Sequence, residues 1–240
     1  MIDKRLVYGI LIILVIMGLV GFTQTKLLNL LLTLPGLLIA ITFHEFAHAY
    51  AADKLGDDTP RRQGRLNLNP FSHLDPVGSV LLLFAGFGWG KPVEINPRNF
   101  DKKVSMQTGE AIVSVAGPLM NLVLALLFTI IYAALYKFAG KSFLFTQTGA
   151  IIMIILQSTI FVNIGLGVFN LIPLPPLDGS KIFINFMPYN FRRWIVEHEQ
   201  IFYFIFLGIW ITGLAGIIIS PIIEGLANGM FILVGKMFGM

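Results

Sequence analysis

The chain contains no cysteine. That excludes a disulfide framework and any cysteine-ligated zinc site, and it leaves the redox compartment unmarked. Charge is scarce as well. Only 12% of the 240 residues are Asp, Glu, Lys or Arg, against roughly 25% in an ordinary soluble domain. So few charges cannot coat a soluble globule, and disorder needs low hydrophobicity with high charge. Apolar residues make up 56% and the mean hydropathy is +0.80. The class that remains is a polytopic membrane protein, read as one membrane-embedded domain over 1–240. A net charge of +4 does not make nucleic acid a partner, because basic residues collect in cytoplasmic loops of membrane proteins. Internal repeats and low-complexity tracts are missing too.

Apolar runs are abundant. Residues 6–22, 27–43 (continuing to Ala52), 111–136, 149–174 and 201–220 each reach or approach the roughly 20 residues of a spanning helix. A weaker sixth run, 222–238, carries Glu224, Asn228 and Lys236. Lys4 and Arg5 precede the first run, but no small-residue cleavage site follows it, so it reads as a retained anchor. Residues 77–88 are apolar but too short to span and end in Gly86-Phe87-Gly88-Trp89-Gly90, which predicts a re-entrant or interfacial segment. Val93 and Ile95 alternate with polar neighbours, which predicts a short strand. It either closes the fold or offers an edge to an extended partner. The expected fold is all-α, with about six transmembrane helices and a short re-entrant/β-strand segment between the second and third.

The basic residues orient these passes. With the N-terminus in the cytoplasm, Lys54, Arg61, Arg62, Arg65, Lys91, Arg98, Lys102 and Lys103 fall inside with Lys4, Arg5, Lys181, Arg192 and Arg193. Only Lys26, Lys137 and Lys141 fall outside, apart from Lys236 at the tail. The asymmetry supports this orientation.

Ionisable groups in apolar spans are expensive and mark function. His44-Glu45-Phe46-Ala47-His48 continues the second run. On a helix, His44 and His48 project from one face and can share a metal, and Glu45 can serve a water at that metal. For this composition, chance matches to the pattern number roughly 0.002 per chain. His44 lies about 26 Å along the helix from Leu27, near the cytoplasmic edge of a core ~30 Å thick. The fourth run reaches the same depth at Asn170-Leu171-Ile172-Pro173-Leu174-Pro175-Pro176-Leu177-Asp178-Gly179. Its prolines end the helix and re-aim Asp178. Catalytic zinc takes three protein ligands and an open position, and Asp178 is the leading third ligand; the other reading makes it a turn or helix cap. His73, Asp75, Glu94, Glu110, His198 and Glu224 compete for the place. His73 is the strongest of them, because 77–88 could fold it back towards the site. Asn121, Gln157, Ser158, Asn163 and Asn170 are polar residues in core spans, where bonding between helices is the usual role.

The paired motifs, His44-Glu45-Phe46-Ala47-His48 and the Asn170–Gly179 segment, resemble the site-2 protease family of intramembrane zinc metalloproteases. Gly117-Pro118-Leu119-Met120-Asn121 resembles that family's small-residue motif in the core helix between them. Gly88-Trp89-Gly90-Lys91-Pro92-Val93-Glu94-Ile95-Asn96-Pro97 is similar to its connecting segment. The resemblance covers about 27–190, leaving 1–26 and 200–240 as peripheral helices, and implies a minimal member without a PDZ insertion. It implies one zinc per chain on His44, His48 and Asp178, catalytic Glu45, and Asn170 close to the metal, where its amide would face an oxyanion. The implied partners are transmembrane protein substrates and the lipid bilayer, and the implied place is a prokaryotic plasma membrane. Two other readings stay open: an ion- or proton-coupled transporter, against which the missing repeat argues, and an inactive relative acting as a membrane scaffold, against which the intact Glu45 argues.

Overall fold

The computed structural model describes residues 23–85 and 88–240, together with Gly9, Ile12, Ile13, Val15, Ile16 and Val20. The anchor expected over 6–22 lies for the most part outside the described residues. Three long helices pack pairwise on one another: α1 (Gln24–Lys54), α5 (Met106–Phe138) and α7 (Gln147–Asn170). Each starts at a hydroxyl cap. The side chains of Thr23, Ser105 and Thr146 accept from the backbone N–H of Lys26, Thr108 and Gly149, which satisfies donors that the first turn leaves free. Between α1 and α5 lie the short helices α2 (Thr59–Arg62), α3 (Pro70–His73) and α4 (Pro76–Ala85). After α5 come α6 (Lys141–Leu144) and, beyond α7, α8 (Asp178–Asn185), α9 (Tyr189–Glu197), α10 (Glu199–Ile211) and α11 (Leu214–Phe238). The apolar core gathers Ala125 of α5, Ile160, Ile164 and Val168 of α7, and Ala215, Ile219 and Ala227 of α11.

Among the described residues, α1, α5, α7 and α11 are long and apolar enough to cross a membrane. The pair α9–α10, bent by 67°, makes five if counted as one span. The boundary expected between 201–220 and 222–238 falls elsewhere. Gly213, at φ +74°, ends α10 in a left-handed turn, and α11 then runs unbroken through Pro221. The residues 222–238 are therefore the larger part of one long helix.

The strand expected at Val93 and Ile95 does not form among the described residues. Residues 91–96 carry no regular secondary structure, and among the described residues the one isolated bridge is the antiparallel pair Leu74–Gly90. Pro92 has no N–H to give, and the Val93 N–H goes to a side chain, so neither residue donates to a backbone ladder. The 76–90 segment leaves and returns at one place: beside that bridge, Lys91 N–H donates to His73 O at 2.8 Å.

Candidate metal centre

Helices α1, α5 and α7–α8 each supply a wall. His44 and His48, one turn apart on α1, are both buried. Asp178 opens α8 and reaches them across the turn that follows α7. That turn is tight. Gly179 sits against the Leu171 and Ile172 carbonyls so closely that a Cβ there would be 2.5 Å from Ile172 O. The missing side chain is what lets α8 start flush against the end of α7 and point Asp178 at α1.

The three donor atoms form a nearly equilateral triangle. His44 Nε2 and His48 Nε2 are 3.0 Å apart, and each is 3.1 Å from Asp178 Oδ2. Among the described residues this is the one group of three His, Asp or Glu side chains able to share a metal. Its edge is close to the ~3.3 Å spacing of donors around a tetrahedral zinc with bonds of about 2.05 Å.

The tautomers fit as well. His44 Nδ1 donates to Asn121 Oδ1 at 2.7 Å, and His48 Nδ1 donates to Val113 O at 2.7 Å. The Asn121 amide is oriented by its own two bonds, from Nδ2 to Ala40 O and to Asn163 Oδ1, both at 3.0 Å. With Nδ1 of each ring engaged as donor, both rings turn Nε2 towards the same carboxylate oxygen. Three convergent acceptors need a cation, so the donor set fits a divalent metal, and the bonds behind it fix ring orientation as outer partners of zinc ligands do.

Glu45 stands beside this triangle, outside it. Its Oε2 accepts the Val93 N–H at 3.1 Å and lies 4.0 Å from Arg65 Nη2. Asn170 is half-buried and donates to Leu166 O, one turn back on its own helix, at 3.0 Å. The competing ligands have other occupations. His73 is fully buried and donates from Nε2 to Asn67 O at 2.8 Å; burial pushes its pKa below the ordinary histidine value, outweighing the Asn67 bond. Asp75 accepts from Gly78 N–H at the start of α4, and Glu94 accepts from Gln63. His198 donates to Trp194 O. Glu110 is half-buried on α5, and Glu224 is exposed on α11.

Two contributors escaped the sequence. Asn121 reads as an interhelical polar residue, yet it holds His44, and Arg65 reads as one loop charge among many, yet it is 4% exposed. The spacing of Val113, Gly117 and Asn121, four apart on one face of α5, is the signal that could have found the first. Nothing in the local pattern marks Arg65.

Comparison with known proteins agrees with the geometry. The family described as "Peptidase family M50" matches residues 32–213. A curated relative, "Putative zinc metalloprotease YwhC" of Bacillus subtilis, is 38% identical over 188 residues, covering 78% of this chain and 84% of that protein. "Putative zinc metalloprotease Rip2" of Mycolicibacterium smegmatis is 34% identical over 158 residues, covering 62% of this chain and 54% of that protein. No solved structure matches.

Proposed function

The chain belongs to peptidase family M50, the site-2 protease family of zinc metalloproteases, and from that premise we propose that it is an intramembrane endopeptidase cutting membrane-spanning proteins near the cytoplasmic face. The observation that carries this reading is the convergence of His44 Nε2, His48 Nε2 and Asp178 Oδ2 within 3.1 Å, with an acidic group beside it. In this reading those three residues hold one zinc, which supplies a Lewis acid that activates water at neutral pH. Glu45 takes the proton of the attacking water and returns it to the leaving amine. Asn170 would turn its amide from Leu166 O towards the oxyanion as substrate enters. The positive-inside pattern supports a cytoplasmic N-terminus in a bacterial plasma membrane, with 77–88 as a re-entrant or interfacial segment.

A peptide bond inside a helix is covered by its own hydrogen bonds, so the substrate must unwind before attack. Residues 91–96 suit the unwound backbone. In extended chain, alternate residues point their N–H and C=O to one side; with the Val93 N–H on Glu45, a 91–96 segment drawn out by substrate would turn Val93 O and Ile95 N–H the same way. An extended substrate can pair there by strand addition. Ile95→Pro, which removes that donor, is expected to slow cleavage of a membrane helix with zinc content unchanged. Cleavage at the wild-type rate would remove the pairing from the mechanism.

The main test is metal dependence. Protein purified in detergent is expected to hold about one zinc per chain, to lose cleavage of single-span membrane helices on chelation, and to regain it with added Zn2+. Undiminished cleavage after the metal is stripped would overturn the proposal. Ion flux in liposomes without any cleavage would return the transporter reading.

A further inference from the structure

Among the described residues, Arg65 is the Lys or Arg side chain paired with Glu45, and nothing in the metal centre itself requires it. Its guanidinium is held on two sides. Nη1 donates to Ser72 O and Nη2 donates to Lys91 O. Those carbonyls lie next to the Leu74–Gly90 bridge and the Lys91–His73 bond, where the chain enters α4 and where it returns. The same Nη2 is 4.0 Å from Glu45 Oε2, the oxygen that also accepts from Val93 N–H. Arg65 Nε has no partner among the described residues, so the group is not placed for its own hydrogen bonding alone. Both contacts fall on one oxygen of Glu45, and among the described residues no hydrogen bond engages Oε1. A buried guanidinium with two fixed anchors cannot swing as a lysine would.

We propose that Arg65 is a positioning residue for peptide hydrolysis: clamped between Ser72 O and Lys91 O, it fixes Oε2 of Glu45 and leaves Oε1 to exchange the proton. The clamp also ties the proposed substrate-pairing segment to the acid–base group, because Lys91 begins 91–96. Seating substrate on that segment and aiming Glu45 thereby become one event. The inference rests on Glu45 being the proton-transferring group.

The test compares wild type, Arg65→Gln, Arg65→Lys, Arg65→Ala and Glu45→Gln, purified in detergent and offered a panel of single-span membrane helices. Zinc content and thermal stability are measured beside kcat and KM. Arg65→Gln is expected to keep zinc, to hold KM within about threefold, and to lose roughly 100-fold in kcat, the usual cost of misaiming a reacting group by about 1 Å. Arg65→Lys, which keeps the charge and loses the fork, is expected to fall between Arg65→Gln and wild type. Millimolar guanidinium is expected to restore part of kcat to Arg65→Ala, and methylammonium to restore less. A kcat for Arg65→Gln within threefold of wild type overturns the proposal. So does loss of zinc from both Arg65→Gln and Arg65→Lys without guanidinium rescue, the pattern of a residue that only closes the fold. If wild type cleaves no helix, or Glu45→Gln cleaves as well as wild type, the protease reading itself falls and this inference with it. Wild-type cleavage lost in Glu45→Gln but kept in Arg65→Gln sinks the inference alone.

Discussion

Glu45→Gln is expected to bind zinc like the wild type and to cleave about 10²–10⁴-fold more slowly, the usual contribution of a positioned general acid–base group. The two halves of this result have separate causes. The metal-binding atoms are His44 Nε2, His48 Nε2 and Asp178 Oδ2, and Glu45 belongs to none of the bonds that orient them. Glutamine has the same size, and its carbonyl oxygen can still accept the Val93 N–H that holds the carboxylate now. The side chain should therefore stay in place, with 91–96 still resting on it. What is lost is basicity: an amide cannot take a proton from the attacking water. Zinc content by atomic absorption and single-turnover cleavage of a membrane helix measure the halves independently. A variant that cleaves within tenfold of wild type would remove Glu45 from proton transfer. A variant without zinc would make it part of the metal site.

Much of this centre was legible because its cost is local. Two histidines and two carboxylates at the ends of apolar runs break a rule that the bilayer enforces residue by residue. The matched depth of His48 and Asp178 follows from counting residues along two helices that enter from the same side. The parts that stayed hidden depend on which backbone meets which side chain. Val93 has the alternation of a strand, but strand pairing needs a partner chain, and its N–H went to Glu45 instead. Asn121 has the composition of an interhelical residue; only the packing of α5 on α1 shows that its carbonyl faces His44 Nδ1. Arg65 is read as solvated because charges in a basic loop usually are, whereas the loop folds over it and supplies two carbonyls. At the C-terminal end the expected boundary lay at Pro221, between the runs 201–220 and 222–238. The backbone breaks at Gly213 because a positive φ stops a helix more surely than a proline, whose cost packing can absorb.

Gly117→Ala is expected to lose zinc and cleavage together, the opposite pattern to Glu45→Gln. Val113, Gly117 and Asn121 lie on one face of α5, and the two outer residues hold the imidazoles: Val113 O takes the His48 proton and Asn121 Oδ1 takes that of His44. Gly117 lies between them, where the rings come closest to the helix. A Cβ there would stand 2.6 Å from His48 Cε1 and 2.8 Å from His44 Cε1, and would press on His48 Nε2 itself. Distances this short are not tolerated, so either the rings turn or α5 moves away from α1. The rings have little freedom, because each is bonded at Nδ1 and committed at Nε2. Moving α5 would stretch the bonds at Val113 and Asn121 that set the tautomers. Either response displaces donor atoms that a zinc site needs within ~0.2 Å, and disturbed outer partners alone weaken metal binding by about 10–100-fold. Overpacking should also destabilise the protein by roughly 1–3 kcal/mol. Gly165→Ala on α7 is the control, since a Cβ there meets only Ile223 Cδ1 at 3.6 Å, an ordinary contact. Zinc titration of both variants against a competing chelator measures the difference. Wild-type affinity in Gly117→Ala would mean that α1 and α5 can part without disturbing the ligands, and that the close approach at this glycine serves helix packing alone.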